Sequence, residues 1–174
     1  MSKIILKIFL GILFAFIIIL LNFRLNIFNE NLYLKGNFNS EINSKDYVNN
    51  LTGYFGNNNE LNTKFYTQRE ILHLKDVKEL IKITLVIFYL SLFIFILLIL
   101  KYYNLIFQIF IISFCMTLLF CLILLLINFD YLFYKFHLSF FNNDFWLLNP
   151  ETDNLVNFFP ESFFYTAFSK ILFN

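Results

Sequence analysis

Of the 174 residues in this chain, 59% are hydrophobic and only 14% are charged, a balance that excludes an ordinary soluble domain and is typical of a membrane protein. The 13 basic and 12 acidic residues give a net charge of +1, so the chain lacks the positive excess with which nucleic-acid-binding proteins neutralise phosphates. The composition therefore predicts an all-α membrane protein with no nucleic-acid partner.

The first apolar stretch, residues 4–23, is long enough to cross the hydrocarbon core of a bilayer as a helix, which takes about 20 residues. Lys3 and Lys7 at its start resemble the charged end of a secretory signal, but residues 22–26 offer no small-residue cleavage motif. We therefore expect an uncleaved signal anchor.

Two further apolar stretches follow a polar loop of residues 24–79. They cover residues 80–100 and 105–127, and the short connection between them leaves room only for a tight turn, which predicts an antiparallel helical hairpin. A second polar segment, rich in aromatic residues, occupies residues 128–161. Because two crossings separate the two polar segments, both must lie on the same face of the membrane.

Which face of the membrane the two polar segments occupy is less strongly determined than the fact that they share one. The loop holds seven Lys and Arg residues, and positive-inside counting would place it in the cytoplasm. We favour the extracellular face, because the charged start of a short-tailed signal anchor stays inside and the loop is long enough to be translocated.

The two histidines, His73 and His137, are the first candidates for chemistry. Each lies outside an apolar stretch, in one of the polar segments that share a face. With a helical rise of about 1.5 Å per residue, continuous helices on both sides of the turn would place them within about 6 Å of the same height. The alternative is that Asn128 and Asp130 break the third helix and leave His137 elsewhere.

The sequence around His73 predicts a helix that begins at Thr67, because Thr67 with Glu70 three residues later forms a capping box. Glu70, His73 and Asp76 then share one helix face, so either carboxylate could orient the imidazole and fix its tautomer. The alternatives are that Glu70 serves the cap alone and that Asp76 forms an exposed ion pair with a nearby lysine.

The sequence around His137 predicts an interfacial segment, because aromatic residues surround the histidine and Trp146 is the single tryptophan. Trp146 is interpreted first as a membrane-interface anchor and second as a substrate contact. Asn149 before Pro150 fits a helix N-cap, and Pro160 before Glu161 fits the start of another helix.

Motifs for other chemistry are missing from the sequence, which has no GxSxG, HExxH or CxxC. Two histidines could ligate haem or a metal, but a stable site would need more ligands, so we expect no cofactor and no metal. A haem or metal protein stays an alternative, and so does a noncatalytic assembly or scaffold subunit whose polar loops bind a partner.

Two segments together resemble the bacterial lipoprotein intramolecular transacylase family. The first is residues 65–77, Phe-Tyr-Thr-Gln-Arg-Glu-Ile-Leu-His-Leu-Lys-Asp-Val, and the second runs from Phe136-His137 through Trp146-Leu-Leu-Asn-Pro-Glu to Phe159-Pro-Glu-Ser-Phe-Phe. Each is weak alone, but their order and their position between the apolar stretches make the resemblance specific.

The resemblance implies an enzyme that moves the sn-2 acyl chain of a diacylglyceryl-cysteine lipoprotein onto the α-amine of its own N-terminal cysteine, giving a lyso-form lipoprotein. It implies a multi-pass protein of the bacterial plasma membrane with its active site on the extracellular face, and diacylated lipoproteins and membrane lipid as partners. Its two family histidines match His73 and His137. The supporting residues of the two segments are Glu70, Asp76, Asn143, Trp146 and Asp153.

The chain departs from the family pattern at its end. A fourth span should follow Phe163 and Phe164, but residues 162–174 are too few for a full crossing. We expect a partial fourth helix, either because the chain is truncated, because its end lies along the interface, or because a partner supplies the missing helix. The family often has an acid at the position of Asn149, an exchange that an N-cap would tolerate.

Overall fold

The computed structural model describes residues 3–38, 43–56 and 59–173, and all regular structure in these ranges is helical. The helices are α1 Lys3–Ile27, α2 Glu30–Tyr33, α3 Ser44–Gly56, α4 Gln68–Lys101, α5 Ile106–Leu125, α6 Phe129–Phe140, α7 Asn154–Phe158 and α8 Glu161–Phe173, with a 3₁₀ turn at Tyr103–Leu105 before α5. Three of them, α1, α4 and α5 with its preceding turn, are long and apolar enough to cross a membrane. They correspond to the three predicted spans.

The membrane bundle is built around α1, which packs against both α4 and α5. The Phe14 ring on α1 stacks on Phe95 of α4 at 5.0 Å between ring centroids and lies 5.9 Å from Phe110 of α5. Gly11 lets α1 approach α5 closely, since a Cβ there would lie 2.7 Å from the Ile112 Cβ. The turn after α4 reverses the chain as predicted, but the larger helix contacts are with α1 rather than within the hairpin.

The length of α4 places its start outside the hydrocarbon. Its 34 residues span about 51 Å, whereas the hydrocarbon core is about 30 Å thick. The apolar part begins near residue 80, so residues 68–79 project beyond the membrane-spanning segment. This projection carries His73 and the residues spaced around it.

A compact aromatic core holds the projecting end of α4. Tyr47 of α3 is fully buried at its centre, with the Phe158 ring of α7 edge-on at 5.0 Å and the Tyr66 ring at 4.9 Å. Leu74 of α4 is buried in the same cluster. The polar loop and the second polar segment therefore fold together as one cap above the membrane bundle.

The predicted third span is shorter than expected. The helix ends at Leu125, and α6 begins at Phe129 after a new cap, in which the Asn128 side chain accepts a hydrogen bond from the Tyr131 N–H at 3.0 Å. The prediction of an N-cap at Asn149 was wrong: its side chain accepts from the Glu151 N–H in a turn, and α7 starts only at Asn154.

The final helix, α8, begins after Pro160 as predicted. Its 13 residues span about 20 Å, which is shorter than the hydrocarbon core. It packs against α1, and the Tyr165 ring contacts Phe129 of α6 at 5.4 Å. Asn174, which belongs to the predicted partial helix, lies outside the described residues.

Candidate active site

The start of α4 is fixed by the predicted capping box. The Thr67 hydroxyl accepts a hydrogen bond from the Glu70 N–H at 3.3 Å, and the Glu70 carboxylate accepts one from the Thr67 N–H at 2.6 Å. These bonds satisfy donors that a helix start otherwise leaves without partners. His73, less than two turns later, is thereby held at a defined position and angle.

His73 is buried, with 8% of its surface exposed. Its Nδ1 atom is also buried and has no hydrogen-bond partner among the residues that the structure describes. Burial disfavours the charged ring and lowers the pKa of His73 from 6.5 to about 4, with His137 acting in the same direction and Asp76 against it. The ring is therefore neutral at pH 7, and one of its buried nitrogens has no hydrogen-bond partner among the described residues.

His137 lies on the inner face of α6 and is equally buried. Its Nδ1 lies 2.7 Å from the Phe133 carbonyl oxygen. A carbonyl only accepts hydrogen bonds, so Nδ1 carries the proton and the neutral ring has its lone pair on Nε2. Burial lowers the pKa of His137, and the bond to Phe133 opposes that shift.

The two imidazoles lie side by side, with 6.0 Å between ring centroids and 32° between ring planes. Phe141 contacts both rings, at 5.3 Å from His73 and 5.5 Å from His137. The predicted proximity is confirmed, although the third helix is broken as the alternative assumed. The break does not separate the histidines, because His137 of α6 still meets His73 on the projecting end of α4.

Comparisons with known proteins agree with this architecture. The model of the lipoprotein intramolecular transacylase Lit family matches residues 1–164. This chain belongs to that family. No individual curated protein matches the chain significantly by sequence.

Among solved structures, the membrane-integral lipoprotein intramolecular transacylase Lit from Bacillus cereus matches with a TM-score of 0.79 at 22% identity, over 97% of this chain and 86% of that chain. Two variants of that protein, with a histidine replaced by arginine or by alanine, match at 22% and 20% identity with TM-scores of 0.71 and 0.73. They too match over 97% of this chain, and over 83% and 84% of their own. The likeness shows that this transacylase family member has the same membrane-integral fold.

In this Lit family member, Glu70 and Asp153 hold the start of α4, which carries His73, by hydrogen bonds to another segment of the chain. Glu70 is fully buried, and its second carboxylate oxygen accepts a hydrogen bond from the Leu155 N–H at 2.5 Å. Asp153 accepts from the Thr67 hydroxyl at 2.7 Å and from the Asn149 N–H at 2.7 Å. Burial raises the pKa of Glu70, while these backbone bonds oppose the shift. Glu70 thus joins the start of α4 to α7, and Asp153 joins it to the turn before α7.

Asp76, Asn143 and Trp146 lie on the other side of the pair. The Asn143 amide donates to the Asp76 carboxylate at 2.9 Å, which connects α4 to the loop after α6. The Trp146 ring on that loop lies over His137, with 4.9 Å between centroids and 30° between planes. The hydrogen-bond partner of Asp76 is therefore an amide on the other segment, which neither sequence interpretation predicted.

Three groups that shape the histidine site were not identified from the sequence. The Phe133 carbonyl selects the His137 tautomer, the Phe141 ring packs against both imidazoles, and the Arg69 guanidinium donates to the Asp144 carbonyl at 2.5 Å. A backbone carbonyl carries no sequence signal of its own. The four-residue spacing of Phe133 and His137 was the one available indication, since it places them on one helix face.

Proposed function

We propose that this chain transfers the sn-2 acyl chain of a diacylglyceryl-cysteine lipoprotein to the α-amine of the same cysteine, with His73 and His137 as its catalytic residues. The observation that carries the proposal is the pair of neutral, buried imidazoles 6.0 Å apart, brought together from two distant segments of a transacylase family member. Such a pair can move a proton and donate a hydrogen bond, which are the two needs of ester aminolysis.

His137 is the general base in this proposal. Its Nδ1 proton is committed to the Phe133 carbonyl, so Nε2 is the atom that accepts a proton from the attacking amine. As the nitrogen attacks the ester carbonyl carbon, the C–N bond forms and a proton passes to Nε2. The same proton then passes to the sn-2 oxygen of glycerol as the C–O bond breaks. Atoms and charge balance without a covalent enzyme intermediate.

His73 supports the other half of the reaction. Its low pKa keeps it neutral, and a neutral imidazole can donate a hydrogen bond to the negative charge that develops on the carbonyl oxygen. Its unpartnered ring nitrogen supports this role, because no described protein group competes for it.

The chemistry does not need a nucleophilic side chain. Cys115 is exposed, and the Cys121 thiol contacts the Leu172 carbonyl of α8 at 3.7 Å, so neither thiol is among the contacts of the pair. Donor ester and acceptor amine belong to one molecule, and holding them in a reactive geometry can contribute about 7–11 kcal/mol. Trp146 and Phe141, packed on the two histidines, are placed to restrict that geometry.

The position of the site fits a lipid-anchored substrate. His73 lies about 10 Å along α4 from the start of its apolar part, so in this proposal the lipid ester rises from the edge of the hydrocarbon core, or α4 tilts, for the two to meet. The proposal places this site on the extracellular face of a bacterial plasma membrane, where the lipid and the N-terminal cysteine of a lipoprotein meet.

The test is expression in a bacterium that lacks its own lipoprotein N-acyltransferase, with mass spectrometry of a lipoprotein N-terminus. We expect one acyl chain on nitrogen and a free sn-2 hydroxyl. His137→Gln should abolish the product, because an amide cannot carry the proton. His73→Leu should slow transfer about 100- to 1000-fold, the usual cost of losing one oxyanion donor, and His73→Gln less.

Lys135→Gln, an exposed change on α6 two residues from His137, is the matched control and should leave the rate unchanged. Wild-type rates in His137→Gln would remove His137 from catalysis. A wild-type chain that inserts, folds and yields no N-acylated product would instead favour the scaffold alternative.

A further inference from the structure

An apolar crevice lies where the end of α5 meets α6 and α8. Its volume is about 70 Å³, and its walls include Leu125, Phe129, Leu132, Phe168 and Leu172. Of the two lining residues with hydroxyls, Ser169 donates to the Tyr165 carbonyl at 2.9 Å, and Tyr165 itself is largely exposed. The walls therefore offer little to hold water.

The crevice exists because the chain does not continue straight from α5 into α6. Leu126, in the connection between them, is 87% exposed, and Asn128 starts α6 with its own cap. The residues that line the space between the helices lose dispersion contacts unless another group fills it. At the end of a membrane-spanning helix, the available filler is hydrocarbon.

A line of aromatic rings joins this crevice to the candidate active site. Phe129, which lines the crevice, lies 5.9 Å from Phe133, and Phe133 lies 4.4 Å from His137. Phe164 of α8 contacts Phe133 from the other side at 5.3 Å. The path from crevice to imidazole is therefore apolar and only two rings long.

We propose that the crevice receives the hydrocarbon of the acyl chain that is transferred, a step that rests on the proposed function and assigns its chain-binding subsite. With the ester carbonyl at His137, the chain runs past Phe133 and enters between α6 and α8. The crevice is much smaller than a whole acyl chain, so it holds one section, and the remainder lies in the bilayer. Its walls thereby set which chain lengths and shapes are transferred.

Photo-crosslinking tests the occupant directly. The probe is a synthetic diacylglyceryl-cysteine peptide with a diazirine in the sn-2 chain, added to the reconstituted full chain. We expect cross-links on residues 129–132 and 165–172 that disappear when unlabelled lipopeptide is added in excess. Cross-links there that do not compete would assign the crevice to bulk membrane lipid, and competed cross-links found only elsewhere would also overturn the proposal.

Variants of α8 test chain selection. Ser169→Phe fills the crevice and should reduce transfer of long sn-2 chains at least tenfold relative to short ones, whereas Phe168→Ala enlarges it and should favour bulkier chains. Thr166→Phe is the matched control, since Thr166 is exposed on the same helix and, like Ser169, bonds back to the carbonyl four residues earlier.

Chain preferences identical to wild type in both crevice variants would overturn the subsite. If the wild-type chain transfers nothing, the proposed function fails. The competed cross-links still report whether the crevice binds the lipopeptide chain, so the two failures are distinguishable.

Discussion

At His137, one backbone contact decides which ring nitrogen can act as a base. The Phe133 carbonyl holds the Nδ1 proton, and the aromatic rings around the imidazole exclude water. Burial makes protonation costly, so the ring rests neutral. In the proposed mechanism, the indole of Trp146, 30° from parallel over the ring, would stabilise the short-lived cation of His137.

This contact makes the His137 titration measurable, because Trp146 is the single tryptophan and a protonated imidazole quenches indole fluorescence. The pKa of His137 is below its ordinary value of 6.5, so at pH 5.5 we expect less quenching than a histidine of ordinary pKa, about nine-tenths protonated there, would give. His137→Gln should remove the titration. A midpoint at or above 6.5 would contradict the burial argument.

The hydrogen bond between Asp76 and Asn143 does not touch the reacting groups, but it holds the loop whose Trp146 packs on His137. It fixes the loop that carries Trp146 against α4, and its acceptor is a charged carboxylate. A charge-assisted bond is worth roughly twice a neutral one, so its loss should loosen the loop without unfolding the helix.

Asp76→Asn should slow transfer about fivefold, because a neutral amide still accepts the bond but holds it about 1 kcal/mol less strongly. Glu79→Gln is the control: it removes the same charge from α4, but its ion pair with Lys82 is exposed and contributes little. Time courses of N-acylation measure both. Equal rates in the two variants would show that Asp76 is not a positioning residue.

Among the elements, α1 lies between α4 and α5 and packs against both. Close approach of membrane helices depends on small residues, since lipid and side chains are equally apolar and packing supplies the gain. Gly11 meets this need where α1 faces Ile112.

Gly11→Ala should destabilise the protein by about 1–3 kcal/mol, because the new Cβ would overlap Ile112 and force the helices apart. Gly56→Ala, at the end of α3, places its Cβ 3.5 Å from the Phe28 ring, an ordinary contact, and should change stability by less than about 0.5 kcal/mol. Thermal unfolding in detergent compares them. An unfolding midpoint of Gly11→Ala at or above the wild-type value would contradict close packing.

For the whole molecule, the histidines and the aromatic core lie at one end of the bundle, and the turn after α4 lies at the other. If the site is extracellular, the end with the histidines faces the outside of the cell and the turn after α4 faces the cytoplasm. In a chain with Cys115 and Cys121 replaced by serine, Lys45→Cys on α3 should react with a membrane-impermeant maleimide added to intact cells. Lys101→Cys should react only after the cells are broken, and the reverse pattern would reject an extracellular site.

The sequence alone determined the membrane-spanning helices and two of the helix starts, because hydropathy and helix caps depend on residues that are neighbours along the chain. They predicted the three spans, the N-cap of α4 at Thr67 and the start of α8 after Pro160. They also predicted that His73 and His137 lie near each other, although that prediction assumed an unbroken third helix.

Only the tertiary structure decided which groups of the two polar segments, and which helices of the bundle, contact each other. The Asp76–Asn143 bond, the Glu70–Leu155 bond and the placement of α1 between α4 and α5 join positions far apart in the chain. No local pattern encodes such contacts, since they follow from how the helices pack. The break after α5 stood between two interpretations of the sequence, a straight helix through the apolar run or a break at Asn128 and Asp130, and the structure decided for the break: α5 ends at Leu125 and Asn128 caps α6.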